Sequence, residues 1–176
     1  MPDRLVLDAS AAIAILRGEA AAPGLARVIR IHLDAGGEVI VPDHFWLELA
    51  NVLVRRYGHR PDDVVAALRE LDEMGVRSIP ADRPLTLLGL DLMAAHGLSA
   101  YDAVYLALAE SEDAVLLTLD ADLASSAGDR AVSFDGRGGA GTREPRAAYR
   151  RSGVAPNWAA HGAYLSEVRR RTAAAG

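Results

Sequence analysis

Short apolar runs alternate with longer amphipathic stretches along the first 134 residues of the chain. The runs, such as residues 5–7, are bounded by charged or turn-forming residues, a pattern typical of buried strands. The stretches between them place apolar residues at helical spacing, as in Phe45, Leu49 and Leu53, which predicts helices with one buried face. Strands are predicted at 4–7, 38–41, 76–79, 114–118 and 130–134. Helices are predicted at 10–17, 23–33, 43–57, 61–74, 84–96, 99–110 and 120–126.

This order of elements predicts the fold class. Strands that alternate with helices form a parallel sheet with helices on both faces, so an α/β protein is expected. The pattern stops near Phe134, where a Gly-rich stretch begins, and a run of three arginines lies near the end of the chain. We therefore predict a folded domain over residues 1–134, followed by a Gly-rich linker and basic C-terminal extension over residues 135–176.

Two acidic residues closely follow predicted strands. Asp8 comes directly after the first strand, and Asp120 comes shortly after the fourth. Both also begin predicted helices, so each could serve only as a helix cap. In parallel α/β sheets, however, ligands bind beyond the carboxyl ends of the strands. The positions of Asp8 and Asp120 therefore predict a shared site at that end of the sheet.

Two further acidic residues, Glu48 and Asp102, stand in mostly apolar stretches of predicted helices. Taken singly, Glu48 could lie on a solvated face and Asp102 could be a capping acid in a first helical turn. A half-buried carboxylate without a partner is costly, and a divalent cation would remove that cost. Mg²⁺ and Mn²⁺ prefer carboxylate oxygen, so the four acids together are candidate ligands.

Charge and composition narrow the possible chemistry. The net charge is −5, but it is unevenly distributed. Residues 1–136 carry 11 arginines and 22 acidic residues, whereas residues 137–176 carry eight arginines and two acidic residues. An acidic body repels phosphates, so a nucleic-acid enzyme of this kind needs a cation in its acidic site. The chain has no cysteine, which excludes disulfides and thiolate ligands, and its five histidines show no ligand spacing. Metal-hydroxide chemistry is therefore favoured over histidine acid–base chemistry.

Four stretches resemble the motifs of the PIN-domain ribonucleases, and among these the VapC toxins of bacterial toxin–antitoxin pairs. They are residues 6–11 (VLDASA), 41–53 (beginning VP and ending ELANVL), 98–109 (LSAYDAVYLALA) and 116–124 (LLTLDADLA). The third is the most diagnostic, and the resemblance covers residues 4–134. The acidic quartet of the family matches Asp8, Glu48, Asp102 and Asp120, and its supporting hydroxyl positions match Ser10 and Thr118.

The resemblance implies an α/β/α sandwich that hydrolyses RNA phosphodiester bonds with Mg²⁺ or Mn²⁺. It also implies a homodimer that a small antitoxin holds inactive, with the antitoxin tail in a groove of the toxin. A cytoplasmic location is expected because the chain lacks cysteine, has no apolar run long enough to cross a bilayer, and does not begin like a signal peptide. The chain departs from the family after Phe134, where typical members end.

Other functions stay open on the sequence alone. Asp122 could be a fifth acid at the site, although a place in the first turn of a helix explains it more simply. Another metal-dependent phosphoesterase or a DNA nuclease would use the same acids. A catalytically silent PIN-fold binding protein would be expected to lack one or more of them, and all four are present. A dinucleotide-binding protein is disfavoured, because no Gly-rich fingerprint follows the first strand.

Overall fold

A parallel four-stranded sheet forms the centre of the part of the chain that the computed structural model describes, residues 3–132. The strands are β1 (Arg4–Leu7), β2 (Glu38–Pro42), β3 (Arg77–Ile79) and β4 (Val115–Leu117). Their order across the sheet is β3-β2-β1-β4, so β1 pairs with β2 on one side and with β4 on the other. Because all the pairs are parallel, the carboxyl ends of the strands lie at the same end of the sheet.

Seven α-helices connect and cover the strands within residues 3–132. They are α1 (Ala9–Leu16), α2 (Ala22–Asp34), α3 (His44–Arg55), α4 (Pro61–Glu73), α5 (Arg83–His96), α6 (Ala100–Ser111) and α7 (Ala121–Ala127). Successive side chains of a strand point to opposite faces of the sheet, and Leu5, Val6 and Leu7 are all at most 1% exposed. Both faces of the sheet are therefore covered, which confirms the predicted α/β architecture.

Helix α6 is buried over most of its length. The hydroxyl of Ser99 accepts a hydrogen bond from the backbone N–H of Asp102 at 3.2 Å and so caps the helix. Just before it, Gly97 ends α5 with a φ of +69°, a conformation that favours glycine. Residues 103–109 are all buried, and the helix contacts β1, β2 and β4. The middle of α6, from residue 103 onwards, is therefore held firmly against the sheet.

Of the predicted fifth strand at residues 130–134, the structure describes residues 130–132. Gly128–Arg130 is a 3₁₀ helix, and Ala131 makes a single parallel bridge to Leu116 of β4. The backbone N–H of Val132 donates to the carbonyl oxygen of Leu116 at 2.9 Å, so pairing with β4 begins directly after this tight turn, one residue later than predicted. Residues 133–176, with the predicted boundary after residue 134, the linker and the basic extension, lie outside the described part of the chain.

Between residues 3 and 132 no single helix has the length and apolar character needed to cross a membrane. Only α5 and α6 taken together meet that requirement, and a bend of 111° separates them.

Gly37 packs against the ring of a buried histidine. His32 is 3% exposed, and its Nε2 lies 3.1 Å from the carbonyl oxygen of Glu38. A Cβ added at Gly37 would lie 2.7 Å from His32 Cδ2, which is inside contact distance. We expect Gly37→Ala to destabilise the protein by about 1–3 kcal/mol, as overpacking of a core does, in chemical denaturation. The same change in a His32→Ala background should have little effect, and an equal loss there would contradict the steric explanation.

Candidate functional site

Asp8 lies directly after β1 and begins helix α1. Its side chain accepts a hydrogen bond from the backbone N–H of Ser10 at 3.3 Å, as a helix N-cap does. The same oxygen, Oδ2, also accepts from the hydroxyls of Ser10 and Thr118, the latter at 2.8 Å. Asp8 is only 3% exposed. It is therefore both a helix cap and a buried acid held in one orientation, so its capping role does not exclude a chemical one.

A negative charge on the Asp8 carboxyl group is unfavourable at this buried position. Burial raises the pKa of Asp8 from its usual value of 3.8 to about 6, and the nearby carboxylate of Asp102 also raises it. The hydrogen bonds from Ser10 and Thr118 lower the pKa, but they offset only part of the effect of burial. At neutral pH this carboxyl group is thus ionised at a cost that a neighbouring positive charge would relieve.

Ser10 and Thr118 tie Asp8 to the end of β4. The Ser10 hydroxyl accepts a hydrogen bond from the backbone N–H of Leu119 at 2.9 Å. The Thr118 hydroxyl accepts one from the backbone N–H of Asp120, also at 2.9 Å. Each hydroxyl therefore donates to Asp8 and accepts from the turn between β4 and α7. The two hydroxyl residues predicted to support the site do contact the first of its acids.

Asp120 caps α7 and Asp102 lies in the first turn of α6, both near Asp8. Asp120 caps α7 by accepting from the backbone N–H of Leu123 at 2.8 Å, and it is exposed. Asp102 is half-buried and accepts a hydrogen bond from the Ser99 hydroxyl at 2.7 Å. Burial raises the pKa of Asp102, and the charges of Asp120 and Asp122 raise it further. Asp102 is therefore close enough to Asp8, Asp120 and Asp122 to share one electrostatic environment.

Glu48 is linked to helix α6 by a hydrogen bond with a tyrosine. It lies half-buried on α3, and its Oε2 accepts a hydrogen bond from the Tyr105 hydroxyl at 2.9 Å. Tyr105 is fully buried on α6, one turn after Asp102. Burial raises the pKa of Tyr105 far above its usual range, and the charges of Glu48 and Asp8 raise it further. Tyr105 thus lies beside both acids.

Sequence reasoning did not single out Tyr105 as a functional residue. One signal was present, because a tyrosine three residues after Asp102 would lie on the same face of the helix. A buried phenol also needs a hydrogen-bond partner, which Glu48 supplies. The partner itself lies 57 positions away in the chain, so the pair becomes visible only when α3 and α6 pack together.

His44 lines the same seam between α3 and α6. Its ring meets Tyr105 edge-on, with 5.0 Å between ring centroids, and it lies 5.5 Å from the ring of Tyr101. Among the described residues, its Nε2 is buried without a hydrogen-bond partner. Burial lowers the pKa of His44, so the ring is neutral at physiological pH. It contributes aromatic packing next to Tyr105 rather than charge.

The acidic cluster, which consists of Asp8, Glu48, Asp102 and Asp120, offers donor atoms that suit a hard divalent cation. Carboxylate and hydroxyl oxygens come from four separate elements, and two of the carboxyl groups have raised pKa values. Within residues 3–132, however, no group of three or more His, Cys, Asp or Glu side chains is arranged to hold a metal ion as it stands. The acids share a neighbourhood without forming a finished chelate, so their role as ligands stays a prediction.

Several solved structures resemble this fold. The sarcin–ricin-loop-cleaving toxin VapC20 of Mycobacterium tuberculosis is 22% identical, with a TM-score of 0.54, over 69% of this chain and 94% of that one. PAE2754 from Pyrobaculum aerophilum is 24% identical, with a TM-score of 0.53, over 75% and 90%. A toxin–antitoxin complex from Klebsiella pneumoniae contains a chain 18% identical, with a TM-score of 0.55, over 73% and 96%. At these identities the likeness supports the fold alone.

A sequence comparison identifies the family. No curated protein matches the chain, but the profile of the PIN domain matches residues 5–129. That range runs from β1 through α7 and includes all four acids of the cluster. The resemblance noted in the sequence is therefore confirmed at the level of the family: the chain belongs to the PIN domain family.

Proposed function

We propose that this protein is a divalent-metal-dependent endoribonuclease, the toxin of a type II toxin–antitoxin pair, with catalytic acids Asp8, Glu48, Asp102 and Asp120. The observation that carries the proposal is an excess of negative charge in one partly buried place. Burial and neighbouring carboxylates raise the pKa of both Asp8 and Asp102. Such a cluster is costly without a cation and becomes favourable when one binds.

The four acids would hold Mg²⁺ or Mn²⁺ at the carboxyl ends of β1 and β4. The cation would polarise a phosphodiester and lower the pKa of a bound water, which supplies a nucleophile at neutral pH. Ser10 and Thr118 hold Asp8 through its Oδ2, so the carboxyl group does not have to be ordered when a ligand binds. Ser99 orients Asp102 in the same way.

The structural neighbours favour RNA as the substrate. One is described as a sarcin–ricin-loop-cleaving toxin, and its fold resembles the described part of this chain. Others are a toxin–antitoxin complex and the VapBC2 complex of Rickettsia felis. We therefore extend to this protein an RNA substrate and an inhibitory antitoxin partner. A homodimer and a cytoplasmic location complete the proposal, as the family resemblance and the sequence suggest.

RNA cleavage in the presence of Mn²⁺ tests this function. We expect the wild-type protein to cut RNA, and we expect Asp102→Asn to lose activity by a factor on the order of 100 or more, because a charged ligand is removed. Asp63→Asn is a matched control. Asp63 occupies the third position of α4, as Asp102 does in α6, and it likewise accepts a capping hydrogen bond. Equal activity of the two variants would contradict the assignment of Asp102.

The same assay separates the alternative functions. Cleavage of a DNA oligonucleotide but not of RNA would support a DNA nuclease. RNA binding without cleavage at any metal concentration would support a silent PIN-fold binding protein. Hydrolysis of a small phosphate ester alone would support another class of metal-dependent phosphoesterase.

A further inference from the structure

We propose that Tyr105 is a positioning residue for the acidic site, because its buried hydroxyl holds the Glu48 carboxylate against α6, the helix that also carries Asp102. This inference rests on the proposed function, since it assigns Glu48 to a metal-binding cluster. Tyr105 itself would not contact the metal or the RNA. Its effect would pass through the orientation of Glu48.

The hydroxyl of Tyr105 is buried and bonded to Glu48. Tyr105 is 0% exposed, so its hydroxyl cannot turn to solvent for a partner. It donates to Glu48 Oε2 at 2.9 Å, a charge-assisted bond of the stronger kind. If Glu48 were replaced or displaced, the buried hydroxyl would lose this partner, which is costly. The phenol therefore selects the Glu48 conformation that points toward it.

Tyr105 is held more rigidly than Glu48. Its neighbours on α6 over residues 103–109 are all buried, and the His44 ring packs edge-on against it. Glu48, by contrast, is a long side chain on another helix and is only half-buried. A glutamate held in place by a bond to a fixed phenol loses less side-chain entropy when it binds a ligand. The fixed partner is thus Tyr105, and the group that it orders is Glu48.

Tyr105 also lies on the same helix as one of the acids. Asp102 and Tyr105 are three residues apart, so they share a face of α6. The charges of both Glu48 and Asp8 act on the Tyr105 hydroxyl. Helix α6 therefore carries Asp102 and, through Tyr105, holds Glu48. Asp8 lies close to the same phenol. Residues that orient metal ligands in this way commonly affect metal affinity by 10- to 100-fold when mutated.

Mn²⁺ binding to the full-length protein, measured by isothermal titration calorimetry, tests the inference. We expect Tyr105→Phe to weaken binding by about 10-fold or more, with a parallel loss of RNA cleavage and an unchanged circular dichroism spectrum. Tyr57→Phe is the matched control, because it removes the same hydroxyl from a half-buried ring, one that stacks under the guanidinium of Arg17. It should bind Mn²⁺ as the wild type does.

A double-mutant cycle distinguishes positioning from a general structural role. If Tyr105 acts through Glu48, then Glu48→Gln/Tyr105→Phe should bind Mn²⁺ no more weakly than Glu48→Gln alone. Glu48→Asp, which keeps the charge but draws it back from the phenol, should reproduce the loss even if Tyr105→Phe proves hard to fold. Wild-type affinity in Tyr105→Phe or Glu48→Asp, or additive losses in the double variant, would overturn the inference. Failure of the wild type itself to bind Mn²⁺ would instead overturn the proposed function, and the inference with it.

Discussion

Replacing Asp8 with asparagine should abolish RNA cleavage and also raise the melting temperature of the metal-free protein at pH 7.5. The first effect follows from the loss of a charged ligand. The second follows from burial, which raises the pKa of Asp8 from 3.8 to about 6. A folded-state pKa above the unfolded one means that stability is present at low pH and is lost as the pH rises through 6. At pH 7.5 the ionised group therefore costs about 3 kcal/mol, which asparagine does not incur.

Asparagine suits this position because its amide oxygen can still accept the hydrogen bonds of Ser10 and Thr118. We expect a rise in melting temperature on the order of 10 °C in differential scanning fluorimetry with EDTA present. At pH 5, where wild-type Asp8 is mostly protonated in the folded protein, the gain should fall to roughly half. Asp72→Asn, at an exposed position on α4, should change neither property. A lower melting temperature for Asp8→Asn at both pH values would contradict the assigned cost of burial.

Mn²⁺ should stabilise the wild-type protein strongly at pH 8 and weakly at pH 5. Burial and neighbouring acids raise the pKa of Asp8 and of Asp102, so protons compete with the metal in the mildly acidic range. A ligand present at 100 times its Kd stabilises the folded state by about 2.7 kcal/mol. RNA cleavage should follow the same trend, falling as the pH drops through 6, and EDTA should stop it.

Thermal melts with and without Mn²⁺, from pH 5 to pH 8, measure this effect. Asp8→Asn and Asp102→Asn serve as controls, because each removes one of the carboxylates for which protons and Mn²⁺ compete. Their melting temperatures should respond little to Mn²⁺ at any pH. A stabilisation by Mn²⁺ that is independent of pH, or that persists in these variants, would show that the metal binds elsewhere.

Much of the fold follows from local patterns in the chain. The strands β1, β2, β3 and β4 and all seven helices of the described residues lie close to where apolar periodicity, prolines and glycines predict them. The convergence of Asp8 and Asp120 was also predictable, because residues that follow neighbouring parallel strands must emerge at the same end of a sheet. The hydroxyl partners Ser10 and Thr118 were identified through the family resemblance rather than from spacing alone.

The remaining features depend on tertiary contacts. The segment at 130–134 has the composition of a strand, but its first residue, Arg130, belongs to the 3₁₀ helix Gly128–Arg130, and pairing with β4 begins at Ala131. The bond between Tyr105 and Glu48 depends on how α3 packs against α6, which no periodicity encodes. The raised pKa of Asp8 depends on complete burial, whereas the sequence shows only that an acid follows a strand.

The burial of α6 has a consequence for genetic screens. Asp102 and Tyr105 sit on a helix whose inner side is wedged between the sheet and α5. A small sideways shift of α6 would move Asp102 and also Tyr105, which holds Glu48, without unfolding the protein. If the protein is a toxin as proposed, selection for variants that no longer inhibit growth should recover changes among the small interior residues of α6 as often as changes at the carboxylates themselves.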